Sequence, residues 1–242
     1  MPLMNVVRSS LVAALFALVL SACNSDSKTE KADSSPAATA TQSPLNQPAP
    51  STGKKRLLFF GNSLTAGFGV EPDEAFPALV GQKIDSLKLG YEVINAGLSG
   101  ETTAGGRSRV GWVLRQPVDV FVLELGGNDG LRGLPLTDTR RNLQAIIDTV
   151  RRRSPNAQIV LAGMQIPPNL GASYAASFKT LYQEIAAQNH LALIPFLLEG
   201  VGGDRKLNQA DGIHPTPAGH RIVARTVWKV LQPLLAGTNS PS

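Results

Sequence analysis

From Lys54 onward, short apolar runs alternate with longer segments whose apolar residues recur at helical spacing. That alternation constrains the fold more than any other feature of the chain. Residues 57–60 form an unbroken apolar run, as expected for a strand covered on both faces. Residues 72–87 place Phe76, Leu79, Val80, Ile84 and Leu87 on one helical face. The pattern then predicts strands at 92–95, 118–125, 159–164 and 191–196, and helices at 103–114, 137–153 and 173–189. In the helix over 137–153, Leu143, Ile146, Ile147 and Val150 form the stripe, and Ser154-Pro155 stops it. A last helix has Thr216 as N-cap and Pro217 at its first position, and runs to about residue 231.

Strands that alternate with helices imply a parallel sheet with helices on both faces, a three-layer α/β/α fold. With right-handed crossovers, the flavodoxin-like strand order 2-1-3-4-5 is the natural arrangement of five strands.

The first 53 residues are of a different kind. Arg8 precedes an apolar run over residues 11–20, ten residues long. A membrane span needs ~20, so the run is read as a secretory signal. It ends Leu20-Ser21-Ala22-Cys23, which resembles a bacterial lipobox. In such signals the cysteine is lipidated and becomes the new N-terminus. The alternative is a cysteine beside an ordinary cleavage site. Cys23 is the only cysteine, so no internal disulfide forms.

Residues 24–53 are rich in Ser, Thr, Ala, Pro and Gln, with Leu45 the one large apolar residue. Such a segment cannot offset its ordering entropy and is read as a tether spanning roughly 30 Å. The expected organisation is a signal (1–22), a lipidated cysteine and linker (23–53), a folded domain (54–236) and a tail (237–242). The domain is expected in the bacterial cell envelope, in the periplasm or at the cell surface, held by lipid and not by a spanning helix. We expect a monomer.

The formal charge is +5, with Arg140, Arg141 and Arg151 to Arg153 clustered. We read them as a solvated helix face whose last-turn arginines complement the helix dipole. No aromatic residues are interleaved with them, and no nucleic-acid partner is expected.

Open parallel sheets bind ligands beyond the carboxyl ends of their strands, where the strand order switches. Ser63 follows the first strand, Gly100 the second and Asn128 the third. The loop bearing Asp211 and His214 precedes the last helix and can close over the same edge. A serine, an imidazole, a carboxylate and hydrogen-bond donors are the minimum set for acyl transfer through a covalent intermediate. Each has a bland alternative: a helix cap for Ser63, turns for Asp211 and Asn128, a positive φ for Gly100. Their order and placement favour the joint reading.

Other chemistries fit poorly. Gly61, Gly67 and Gly69 do not spell a dinucleotide fingerprint. His190 is read as structural and His220 as packing or surface. No metal-ligand cluster appears, and no cofactor is implied. Glu124 is assigned no chemistry.

Four blocks resemble the SGNH hydrolases, also called GDSL esterases. These are Gly61 to Leu64, Leu98 to Thr102, Gly126 to Asp129, and Asp211 to His214. The run from Glu124 to Gly133, and Met164-Gln165-Ile166, resemble the thioesterase I branch, which combines thioesterase, arylesterase and lysophospholipase activities. The resemblance spans residues 56–234. It implies Ser63 as nucleophile, His214 as base and Asp211 as the acid that orients it. The oxyanion donors would be the Ser63 and Gly100 amides and the Asn128 side chain.

One position departs from the family pattern: Asn62 stands where an aspartate usually precedes the serine. The apolar residues Leu131, Leu134, Pro135, Leu136, Ile166, Pro167, Pro168 and Leu170 are expected to form an acyl or aryl groove; the alternative is ordinary loop packing. Small-molecule or lipid esters are the implied substrates. A carbohydrate acetylesterase and a non-catalytic binding module are the other two readings.

Overall fold

The computed structural model describes residues 53–167, 169 and 171–237. Cys23, the signal, nearly all of the linker and the tail from residue 238 lie outside the described residues, as do Pro168 and Leu170.

Five parallel strands form one sheet: β1 (Lys55–Gly61), β2 (Tyr91–Gly97), β3 (Val120–Glu124), β4 (Gln158–Ala162) and β5 (Ala192–Ile194). Their order is β2-β1-β3-β4-β5. The switch in order lies at β1, where Leu57 sits opposite Val93 on one side and Val120 on the other. Every residue of β3 is buried. Side chains alternate between sheet faces, so both faces must be covered.

The helices are α1 (Ser63–Ala66), α2 (Phe76–Ser86), α3 (Thr103–Val113), α4 (Gly127–Leu131), α5 (Leu136–Arg153), α6 (Ala172–Asn189) and α7 (Pro217–Gly237). Helix α2 packs on α7, and α3 packs on α5, which also meets α6. The stripe of α5, with Leu143, Ile146, Ile147 and Val150, is buried in the same core as Phe59, Phe60, Phe121 and Phe178. Among the described residues no helix is long and apolar enough to cross a membrane.

Most element boundaries fall one or two residues from the expected ones, and two of the differences follow from proline. Helix α2 starts at Phe76, not residue 72, with Pro77 in its first turn. A helix from 72 would place Pro77 in its interior, where the missing N–H and the ring disrupt the ladder. Strand β5 stops at Ile194 because Pro195 has no N–H to donate. Helix α7 instead continues through Pro233 to Gly237, and the buried side chains of Leu231 and Leu235 hold that last stretch on the core. At its start the Thr216 hydroxyl accepts from Gly219 N–H at 3.3 Å.

The arginine cluster is largely engaged in local contacts. Arg140 pairs with Glu184, Arg141 with Asp138, and Arg151 donates to both the side chain and the carbonyl of Asn189.

Candidate active site

Strand β1 ends at Gly61, and the chain turns into α1 through Asn62. The Asn62 Oδ1 accepts from Leu64 N–H at 2.9 Å and caps the helix. Ser63 therefore sits at the first helical position, where its N–H has no partner within the helix. The serine is 9% exposed. Beneath it, Glu124 at the end of β3 accepts from Asn62 N–H, Asn62 Nδ2 and the Thr65 hydroxyl.

A loop from the other end of the chain closes over this turn. His214 Nε2 lies 2.9 Å from Ser63 Oγ, and His214 Nδ1 lies 2.6 Å from Asp211 Oδ2. Asp211 Oδ1 also accepts from the N–H groups of Ile213 and His214. The bond from the His214 ring, helped by those two amides, holds the Asp211 carboxyl down at about 2. An ionised carboxylate only accepts, so Nδ1 carries the ring proton. Nε2 is then left as the acceptor facing the serine hydroxyl. The loop is fixed in place by Gln209, whose Nε2 donates to Phe68 O at 2.7 Å and Pro215 O at 3.0 Å.

Asn128 is the second residue of α4. Its Nδ2 donates to Glu101 O at 2.9 Å, and the residue lines the same cavity as Ser63. Gly100 has φ of +79°, a backbone state that favours glycine. It lies outside the cavity lining, one residue from the carbonyl that Asn128 binds. The loop between them is clamped by Arg109, which pairs with the buried Glu101 and donates to Ala96 O at 3.0 Å. Asp129 accepts from both the N–H and the hydroxyl of Thr103, which fixes α4 against the start of α3.

A cavity of about 370 Å³ opens beside Ser63 and His214. Leu131, Ile166 and Pro167 line it, as expected. Leu134 does not. The turn after α4 directs it away: Leu134 N–H donates to Asp129 O, and Leu134 O accepts from the Tyr174 hydroxyl. Pro135 caps α5 and Leu136 begins it, so neither faces the cavity.

The wall is completed by Met164, Phe196, Leu198 and Ile213, which sequence reasoning did not assign to the groove. Ile213 stood inside the Asp211 to His214 block, but only as a spacer. Glu101 lay inside the Leu98 to Thr102 block with no role of its own, and Arg109 carried no sequence signal beyond being charged.

Of the other histidines, His190 caps α6 at φ of +53°, and His220 is buried and accepts from Phe76 N–H. Burial holds the His220 ring down to about 4, so it stays neutral. Among the described residues no group of three or more His, Cys, Asp or Glu side chains is placed to hold a metal.

The GDSL-like lipase/acylhydrolase family matches residues 59–222. The chain belongs to this family. This GDSL hydrolase is 40% identical over 180 residues to esterase TesA of Pseudomonas aeruginosa, across 74% of this chain and 89% of that protein. It is 37% identical to thioesterase 1/protease 1/lysophospholipase L1 of Escherichia coli, across 74% of this chain and 84% of that protein. A crystal structure of TesA superimposes with a TM-score of 0.71 at 39% identity, covering 74% of this chain and 99% of that one. Esterase EstA from Pseudoalteromonas sp., inhibited by monoethylphosphonate, superimposes with a TM-score of 0.71 at 29% identity, covering 76% of this chain and all of that one. This GDSL hydrolase is thus an ester-cleaving enzyme on an SGNH hydrolase fold.

Proposed function

We propose that the protein is a serine esterase that works through an acyl-enzyme on Ser63. The observation that carries this reading is the unbroken relay from Ser63 Oγ to His214 to Asp211, at 2.9 and 2.6 Å. His214 Nε2 takes the hydroxyl proton as Oγ attacks the ester carbonyl. The C–O bond to the leaving group then breaks, and the imidazolium returns the proton to the departing oxygen. Water, deprotonated by the same ring, releases the acid and restores Ser63. Asp211, ionised across the working pH range, stabilises the imidazolium at each stage. The developing oxyanion is met by the Ser63 amide and the Asn128 side chain, which line the cavity; the family resemblance adds the Gly100 amide, which lies outside that lining. Removing one such donor typically costs about 2.7 to 4 kcal/mol of transition-state stabilisation.

The walls favour apolar acyl or aryl groups. Leu131, Met164, Ile166, Phe196 and Leu198 line the cavity, and Leu131 and Ile213 at its mouth are 42% and 44% exposed. Arylesters, lysophospholipids, other acyl esters and acyl thioesters fit this wall better than an acetylated sugar, which needs a small acyl pocket and aromatic platforms. The relatives' names, esterase and thioesterase/lysophospholipase, support the same substrate range. We further propose that Cys23 is lipidated and that the enzyme works as a monomer tethered to the cell envelope, with its domain in the periplasm or at the surface.

The test is a p-nitrophenyl ester series from acetate to palmitate, with Ser63→Ala beside the parent and a fluorophosphonate as label. Turnover and labelling of the parent, both lost in the variant, are the expected result. Undiminished turnover by the variant would remove Ser63 as nucleophile. No turnover and no labelling of the parent would leave a binding module.

A further inference from the structure

The most deeply buried charge-bearing group near the serine is one that the acyl-transfer reading does not use. Glu124 is 1% exposed, at the carboxyl end of β3, directly beneath the turn into α1. Burial in an apolar surround pushes its carboxyl up to about 7, even though hydrogen bonds from Thr65 and Asn62 pull the other way. The titratable side chain it faces from α6 is Tyr182, whose phenol it helps push up further. A group this costly to bury calls for a reason to be there.

Its hydrogen bonds supply one. Oε2 accepts from Asn62 N–H at 3.1 Å and from the Thr65 hydroxyl at 2.8 Å. Oε1 accepts from Asn62 Nδ2 at 2.8 Å. The orientation of the Asn62 amide is not free to invert, because its Oδ1 accepts from Leu64 N–H. The carboxylate thus grips the residue before Ser63 and the residue two places after it. The fit is tight: a Cβ at Gly61 would fall 2.5 Å from Glu124 Oε2 and 2.1 Å from Thr65 Oγ.

We propose that Glu124 is the positioning residue of the nucleophile turn, and that Asn62 is matched to it by hydrogen-bond polarity, as an amide donor facing a carboxylate. The inference rests on the reading of Ser63 as nucleophile and adds what sets its geometry. A carboxylate at position 62 would face Glu124 with acceptors on both sides and would need a shared proton. Asparagine avoids that conflict.

A polarity exchange tests the proposal. In Glu124→Gln the glutamine keeps one oxygen for Asn62 N–H and Thr65, but its Nε2 meets the donor Nδ2 of Asn62. The double variant Asn62→Asp/Glu124→Gln reverses donor and acceptor and rebuilds all three bonds. For Glu124→Gln we expect kcat and the rate of fluorophosphonate labelling of Ser63 to fall about 10- to 100-fold, with KM within twofold. The double variant is expected to recover at least tenfold of that loss.

Labelling of the parent separates the two claims. If parent Ser63 is not labelled, the nucleophile reading itself fails. If the parent is labelled and Glu124→Gln matches its rate, the positioning role is overturned. A folded double variant no better than Glu124→Gln also overturns it. Should Glu124→Gln fail to fold, Thr65→Val removes one of the three bonds while the carboxylate stays. An unchanged kcat in that variant overturns the proposal, and a several-fold loss at constant KM supports it.

Discussion

The ring of Phe68 lies against the imidazole of His214, with centroids 4.6 Å apart and planes 43° from parallel. Phe68 is 49% exposed, so it contributes little to the core and sits instead at the mouth of the site. It supports the imidazole from the side of the chain that also carries Ser63. Phe68→Ala should lower kcat on p-nitrophenyl butyrate about two- to tenfold by loosening the ring. The melting midpoint should barely move, since half-exposed positions typically change stability by about 0.5 kcal/mol or less. Steady-state kinetics and thermal melts measure the two effects separately. An unchanged kcat would show that the ring is held by Asp211 and Gln209 alone.

Asp211 fixes which nitrogen of His214 carries the proton. Asp211→Asn should leave the loop in place but favour the wrong tautomer, lowering kcat by about 10²- to 10⁴-fold. Because the carboxyl is held down at about 2, it stays ionised throughout the usual assay range. Any acid loss of activity in the parent above pH 4 should therefore not come from Asp211. A kcat–pH profile measures this. A second acid limb from Asp211 above pH 4 would contradict the hydrogen bonds described.

Glu124 links stability to pH in a direction opposite to most carboxylates. Its carboxyl is raised from 4.5 to about 7 on folding. Between those values the folded state binds more protons than the unfolded state, so stability falls as pH rises through the window. The loss expected from pH 4.5 to 8 is roughly 3 kcal/mol at most, from about 1.4 kcal/mol per pH unit. Urea melts at pH 5 and pH 8 should show this drop in the parent, and Glu124→Gln should flatten it. Equal pH dependence in both proteins would place the linkage elsewhere.

Leu131 stands at the mouth of the cavity and is substantially exposed, so a charge there is tolerated by the fold. Leu131→Asp should raise KM for decanoyl and palmitoyl esters about tenfold, as expected when an apolar contact of ~1.4 kcal/mol is lost. Acetate turnover should change less than twofold. A uniform loss across the series would mean that the acyl chain does not pass this residue.

The anchor proposal is tested by fractionation. Cys23→Ser should move the protein from the membrane pellet to the soluble fraction, with specific activity on p-nitrophenyl butyrate unchanged. Retention in the pellet would dissociate the cysteine from membrane attachment.

The sheet was legible because its signal is local. Five apolar runs and the stripes between them identify the elements, and handedness rules then limit their order. What escaped were features set by single residues in three dimensions. The helix start at Phe76 and the strand stop at Ile194 follow from prolines outweighed in the apolar pattern. Ser63, Asn128, Asp211 and His214 could be nominated because short blocks flank each of them and fall at strand ends or before a helix. The cavity wall was only half legible. Leu131, Ile166 and Pro167 lie in the segments beyond the third and fourth strands, whereas Phe196 falls at the end of the expected fifth strand, Leu198 lies in the turn after it, and Leu134 is bonded back to Asp129. Glu124 was visible as an anomaly, a carboxylate in a strand otherwise wholly apolar, but nothing in the sequence said which way it pointed.

Ser63 and His214 touch although 151 positions separate them. The consequence concerns timing. On the proposed mechanism, a chain halted by the ribosome holds the serine without its base, and esters it meets are safe from it. Competence arrives only when the closing segment has emerged and docked, so synthesis itself delays the first turnover until the chain is whole.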